Sequence, residues 1–381
     1  MSINAHSNQL IAIQQMIIKP FQFAIPRFSF LFSTDLFFDS VKERFPTYFE
    51  DYYEKTTEPS LFIYQHSTDD NSKIGLVTCT DTRDYEEGNI IKHEDTLIEK
   101  EAKQRRLAHE RQAMIKPVLL THPNIITLDS IYQQVISNSA PVIDVNYKNA
   151  QHQFWAISDE VTIQRILDIF KNEIPKSYIA DGHHRAATVT HLYQETQNPS
   201  YQNIFSVYFP FEQIDISNWN RVIRDLNDLS PLKLLTALTN LFDIKALEKP
   251  YQPTSVGTLV MYLSGEWFEL KWKNVVTEKY SKLPKEERFD ISIFNKEVGQ
   301  NILGIGDVRT DKRIENIESS KGFDGLEKLV GKTDSESVGF IFSPIELQDM
   351  IDVADAGRIM PPKSTYMKPR INNGMIVHPL V

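Results

Sequence analysis

One cysteine, Cys79, is all the sequence offers for thiol chemistry, which excludes an intrachain disulfide and any cysteine-rich zinc site. No apolar run approaches the length of a bilayer-spanning helix, and the amino terminus lacks the basic start, apolar middle and small-residue cleavage site of a secretory signal. A reducing, cytoplasmic setting without membrane contact is the expectation. Positive charge is also short. The 41 Lys and Arg stand against 51 Asp and Glu, a formal net charge of -10, so a general nucleic-acid binder is disfavoured and any phosphate must be met by a local group of cations. The familiar glycine-rich and catalytic signatures are missing as well. There is no Gly-x-x-x-x-Gly-Lys-Ser/Thr, no Gly-x-Gly-x-x-Gly opening a βα unit, no His-Glu-x-x-His and no Gly-x-Ser-x-Gly, so none of those four chemistries has a carrier.

What is present suffices for well-formed cores: 381 residues with 41% hydrophobic content imply two or three domains. Residues 1–58 are the least legible, with an apolar run at 10–18 long enough for a short helix and an aromatic-rich stretch at 35–53 that reads as packing surface. Beyond Pro59, β-rich runs at 61–65 and 74–80 flank a polar stretch and predict a hairpin. A charged, exposed helix is expected over 97–114, then a strand at 117–121, a helix at 127–137 and a hairpin pairing 142–145 with 153–157. Residues 158–170 predict a helix with Ser158 as N-cap and Val161, Ile163, Ile166, Leu167 and Phe170 as its core stripe. A central strand at 204–210, an amphipathic helix at 231–242 and a hairpin joining 257–263 to 267–272 follow, then a helix at 292–303, a strand at 337–342 and a helix at 344–357.

Chemistry concentrates at 178–193. A short β-prone run ends at Ala180, a helical pattern starts at Arg185, and Asp181-Gly182-His183-His184 falls on the turn between them. A helix N-terminus presents backbone N–H groups without intrahelical partners, and Gly182 lets the chain approach a ligand closely, so the turn suits a phosphate. Arg185 supplies a planar fork of donors, His183 and His184 can donate, accept or shuttle a proton, and Asp181 can hold a metal ion or a hydroxyl. Taken singly each has a plainer reading: Asp181 as a helix cap, a histidine as packing, Arg185 as a solvated cation. Their convergence on one turn favours a site.

Three further clusters carry weaker signals. Lys92-His93-Glu94-Asp95-Thr96 follows a short apolar strand. Arg221 and Arg224 could reach a phosphate or pair with surface carboxylates. Pro361-Pro362 pre-sets the backbone ahead of Lys363, Ser364 and Thr365, and such rigidity suits a ligand, with Lys363 a point charge for phosphate. Asp307 to Arg313 reads as a charged turn.

Ile179-Ala180-Asp181-Gly182-His183-His184-Arg185 resembles the signature of the family known as domain of unknown function 1015. Lys92-His93-Glu94-Asp95-Thr96, the run from Asn220 to Asn227, and Ile359-Met360-Pro361-Pro362-Lys363-Ser364-Thr365 resemble further blocks of it, over roughly residues 60–381. Lys19-Pro20-Phe21 resembles the family's start, but the Pro-Pro-Tyr-Asp block expected next is absent. More distantly, the Asp-Gly-His-His-Arg turn is similar to that of the ParB/sulfiredoxin-like fold and, within it, of the free-serine kinases. That resemblance implies a turn for nucleotide phosphates and an upstream glutamate, here Glu94, as base on a serine hydroxyl, with His93 and Thr96 placing the substrate.

The resulting expectation is an α+β protein: a divergent N-terminal segment over 1–58, a ParB/sulfiredoxin-like nucleotide-binding core over 59–245, and a smaller C-terminal α/β region over 246–381 that closes the cleft. Its function would be a small-molecule kinase moving a phosphoryl group from ATP or ADP, with Mg²⁺, to a hydroxyl acceptor, free L-serine first among them. Glu94, Asp181 and His184 would be catalytic, with Asp181 also the metal ligand. Gly182, His183, Arg185, Lys363, Ser364 and Thr365 would bind the nucleotide. The alternative is a non-catalytic nucleotide-binding switch that recruits a partner protein, and serine-dependent ADP formation separates the two.

Overall fold

Runs of Val, Ile, Phe and Tyr build two larger sheets, each organising one of two units into which the chain divides. The computed structural model describes residues 15–56, 58–331 and 336–380. One unit comprises the described residues up to Ile91, Thr96–Ile214 and those from Pro369 onward, and the other comprises Lys92–Asp95 and Asp215–Lys368. Among the described residues no helix is long and apolar enough to cross a membrane.

The sheet of the first unit runs in the order Ile90–Ile91, Ser177–Asp181, Val118–His122, Asn203–Pro210, Ser72–Asp81, Leu61–Ser67, Ala150–Ile157 and Ile143–Tyr147, with Ile18–Lys19 added to Ser72–Asp81. It is mixed: Asn203–Pro210 lies parallel to Val118–His122, and Ser177–Asp181 parallel to Ile90–Ile91. Val118–His122 is buried along its whole length, as a strand covered on both faces must be. The core gathers Leu61, Ile63, Leu76, Leu120, Ile166, Phe170, Ile179 and Ala186 from the sheet and its helices. Gly75 marks a close approach in this sheet, because a Cβ there would lie 2.4 Å from the Tyr208 carbonyl oxygen. Gly75→Ala should therefore destabilise the unit by about 1–3 kcal/mol, read as a lower urea midpoint at unchanged slope.

The expected hairpins form, as Leu61–Ser67 with Ser72–Asp81 and as Ile143–Tyr147 with Ala150–Ile157. The second turns through Lys148 and Asn149, at φ 51° and 59°, the left-handed pair whose twist matches its strands. Helix Ile98–Arg111 has no buried residue, in keeping with its charge. Three local expectations are corrected. Helix Glu160–Glu173 is capped by Asp159, whose Oδ1 accepts from the Thr162 N–H at 2.8 Å, rather than by Ser158. Val161 is 73% exposed, because it sits in the first turn off the face that buries Ile166 and Phe170. Of the apolar run at 10–18, residues 10–14 lie outside the described residues, and Ile18–Lys19 is a strand, not helix. The aromatic stretch after it is the helix Thr34–Tyr52, which buries Phe37, Phe38, Phe45 and Phe49.

The second unit carries an antiparallel sheet ordered Phe242–Leu247, Glu266–Trp272, Thr258–Leu263, Ser337–Ile341, Trp219–Arg224 and Ile314–Glu318. Helix Gly322–Val330 covers one face, packing Leu326 on Val222, Val260 and Ile341. The helix expected at 231–242 ends earlier, as Pro231–Leu238, because Phe242 already begins a strand. The one expected at 292–303 is realised as Asp290–Phe294 followed by a π-helical turn, Asn295–Gln300.

Candidate anion-binding site

Strand Ser177–Asp181 is buried through Ala180 and delivers Asp181 to the turn. Gly182 then adopts φ +104°, a conformation open to glycine, and the helix His183–Thr196 begins with no side chain capping it. A methyl group at position 182 would also lie 2.7 Å from Arg185 Nη2. The capping role considered for Asp181 is therefore not the one it plays.

Its carboxylate faces cations instead. Arg185 Nη2 donates to Asp181 Oδ2 at 2.6 Å, Lys116 Nζ stands 3.8 Å from the same oxygen, and Arg370 Nη2 is 3.3 Å from Oδ1. Arg185 also donates to the carbonyls of Lys116 and Pro117 at 3.2 and 2.7 Å, which fixes its fork. Burial would raise the Asp181 carboxyl, but Arg185, Lys116, Arg370 and His183 outweigh it and hold the group well below the usual carboxylate range. Lys116 shows the converse: burial, helped by the charges of Arg185 and Arg370, pushes its ammonium down to about 8 although Asp181 opposes the shift. One carboxylate against three cations leaves excess positive charge at the N-terminal end of a helix.

The other expected site residues divide between the units. His183 and His184 are the first two residues of the helix, not part of the turn expected to include them, and His183 is buried. Thr96 belongs to the first unit and donates its hydroxyl to Glu101, whose other oxygen meets His191 Nδ1 at 3.0 Å. His184 lies close enough to help lower the Glu101 pKa. His93 and Glu94 sit on the Lys92–Asp95 segment of the second unit, where the His93 carbonyl accepts from the Met360 N–H at 2.8 Å. That bond joins two of the sequence clusters. Burial drives the His93 pKa to about 4, so its imidazole is neutral at pH 7. Glu94 is partly buried. Lys363 is exposed, with Nζ 4.3 Å from the centre of the Trp219 ring, Ser364 is buried and Thr365 partly so.

Lys116 and Arg370 were missed by sequence reading. A lone lysine before a strand and a lone arginine after a proline carry no local pattern, and only the fold brings them to Asp181. As for a metal, both Asp181 oxygens already face cations, and among the described residues no group of three or more His, Cys, Asp or Glu is arranged to hold one. A Mg²⁺ ion carried mainly on phosphate oxygens would need only one or two protein carboxylates.

Residues 34–292 match the family model described as "Protein of unknown function (DUF1015)". A comparison with curated proteins gives no match. Among solved structures, SbnI from Staphylococcus aureus, with a C-terminal truncation, is similar at 10% identity and a TM-score of 0.40 over 78% of this chain and 85% of that one. A free serine kinase in complex with ADP is similar at 12% identity and a TM-score of 0.36, over 78% and 92%. A conserved hypothetical protein from Pyrococcus furiosus is similar at 14% identity and a TM-score of 0.36, over 78% and 95%.

Proposed function

The chain belongs to the DUF1015 family, and we propose that it is a small-molecule kinase with a ParB/sulfiredoxin-like nucleotide-binding core, transferring a phosphoryl group from ATP or ADP to a hydroxyl acceptor, free L-serine first among them. The observation that supports this reading is the group of three cations about Asp181 at the start of an uncapped helix. Nucleotide phosphates would take the place of the Asp181 carboxylate as the anion these cations face, with Gly182 admitting close approach of the backbone. Released from its cations, Asp181 would take a hydroxyl or offer one oxygen to Mg²⁺, whose bound charge would offset that developing on the phosphates. His183 and His184 would complete the cradle, with His184 able to pass a proton. Lys363, with Ser364 and Thr365, would leave the Trp219 ring face for phosphate oxygens, and Glu94 would take the proton from the acceptor hydroxyl. His93 and Thr96 would orient the acceptor.

The test is a thermal-shift screen of nucleotides with Mg²⁺, followed by a search for a phosphorylated product among amino acids. Stabilisation by ADP or ATP together with serine-dependent phosphoserine formation is expected. Nucleotide binding with no turnover on any hydroxyl acceptor would leave the non-catalytic switch as the reading.

The depressed Lys116 pKa adds a pH dependence. Bound phosphate favours the protonated ammonium, so ADP affinity should be full below pH 8 and fall as pH rises through that value, by at most about tenfold per pH unit. Lys116→Met should bind more weakly at pH 7 and lose this slope. Calorimetric titrations of both proteins at pH 7 and 9 check it, and parallel pH profiles would remove Lys116 from the site.

A further inference from the structure

We infer that Arg221 and Trp219 are positioning residues that hold the Lys363-Ser364 turn in a single shape for a phosphoryl group. Along the strand Trp219–Arg224 alternate side chains point to opposite faces, so Val222 meets the helix Gly322–Val330 while Trp219 and Arg221 share the other face. Arg221 is 1% exposed and is the largest fully buried side chain among the described residues. Its Nη2 donates to the Pro362 carbonyl at 3.1 Å, its Nη1 to Asn295 Oδ1, and its guanidinium lies 5.9 Å from the centre of the Phe342 ring. Its Nε has no hydrogen-bond partner among the described residues. Burial pushes its pKa down to about 9, and among the described residues no acid forms an ion pair with it.

A buried guanidinium without a counter-charge is strongly unfavourable, and an apolar side chain of similar length would fill the space without that cost. Packing therefore does not explain the arginine, whereas its placement does. Trp219 Nε1 donates to the Thr365 carbonyl at 3.0 Å, so the two side chains grip the backbone on either side of Lys363 and Ser364. Between those tethers Lys363 sits at φ +55°, a left-handed conformation uncommon for a residue with a Cβ. The Arg221 charge, uncompensated and in a poorly screened interior, adds to the positive potential at this turn.

The last step alone, that the turn takes a phosphoryl group, rests on the proposed function, and the experiment separates the two. Hydrogen exchange over 360–366 and calorimetric titration with ADP and with inorganic phosphate would be run on the full chain and on Arg221→Met, Arg221→Lys, Trp219→Phe and Lys363→Ala. Arg221→Met should accelerate exchange at Lys363 to Thr365 by about tenfold or more and weaken both ligands by about tenfold. Arg221→Lys should restore affinity to within about threefold at pH 6, where a buried ammonium stays protonated and keeps one donor. Lys363→Ala should weaken binding and leave exchange unchanged. Unaltered exchange in Arg221→Met overturns the positioning role, and Arg221→Lys binding as weakly as Arg221→Met at pH 6 overturns the role of the charge. If Arg221→Met does not fold, Trp219→Phe carries the test, because it removes the Thr365 tether and keeps a ring beneath Lys363; unchanged exchange there has the same force. Lys363→Ala binding ADP like the parent would instead count against the proposed nucleotide contact, leaving the exchange result to stand.

Discussion

Glutamine in place of Glu94 should leave nucleotide affinity within about twofold and lower serine-dependent turnover by about 10²- to 10⁴-fold, the range for a positioned general base. The change keeps the side chain's shape and removes its capacity to accept a proton. Glu94 is partly buried on a segment whose neighbouring carbonyl, that of His93, is held by the Met360 N–H at 2.8 Å, a backbone tether that the substitution leaves in place. His93, kept neutral by burial, cannot substitute as a charged phosphate contact at pH 7. Calorimetric titration with ADP beside a phosphoserine assay reads both quantities. Loss of nucleotide binding in Glu94→Gln, or full activity, would make the assigned role wrong and the non-catalytic switch the better reading.

Where the chain's shape follows from neighbouring residues, the sequence was informative. The Ile143–Tyr147 hairpin is visible because strand alternation and the turn pair Lys148-Asn149 are contiguous, and Ser264-Gly265, at φ 52° and 87°, closes the second unit's hairpin in the same way. Asp181-Gly182 was legible as a turn for the same reason, although the helix opens at His183, two residues before the expected start at Arg185. Long-range placement was not. Lys116 precedes the strand Val118–His122, and it reaches Asp181 because that strand pairs with Ser177–Asp181. Arg370 arrives from the C-terminal return of the chain to the first unit, which no periodicity announces. The four residues Lys92–Asp95 belong to a different unit from the residues on either side, an excursion too short to leave a compositional trace. Arg224 is an ordinary partner of Glu315, as charge balance suggests, but Arg221, two alternatives for which were a phosphate contact and a surface ion pair, is buried against a proline carbonyl. Sequence reading places arginine at the surface by default, so an uncompensated buried one is the residue it is least able to find.

Alanine at Arg185 should produce the opposite kinetic pattern to the Glu94 variant. Losing charge-assisted contacts to phosphate should weaken ADP binding by roughly 1.5–3 kcal/mol, about one to two orders of magnitude in affinity, with turnover partly recovered at high nucleotide. Part of that loss would come from organisation as well as contact, because Arg185 also holds the Lys116 and Pro117 carbonyls and the Asp181 carboxylate. Arg185→Lys separates the two contributions: it keeps the charge but loses the planar fork, so its affinity should fall between those of the parent and Arg185→Ala. Gly182→Ala should resemble Arg185→Ala without touching any charge, since its methyl group would meet Arg185 Nη2 at 2.7 Å and a residue with a Cβ disfavours φ +104°. Lys116 and Arg370 would still face Asp181 in all three variants, so the carboxylate stays ionised and the differences report on the guanidinium. Calorimetry with ADP gives the ordering, and parent-like affinity in both Arg185→Ala and Gly182→Ala would mean that nucleotide phosphates do not bind at this turn.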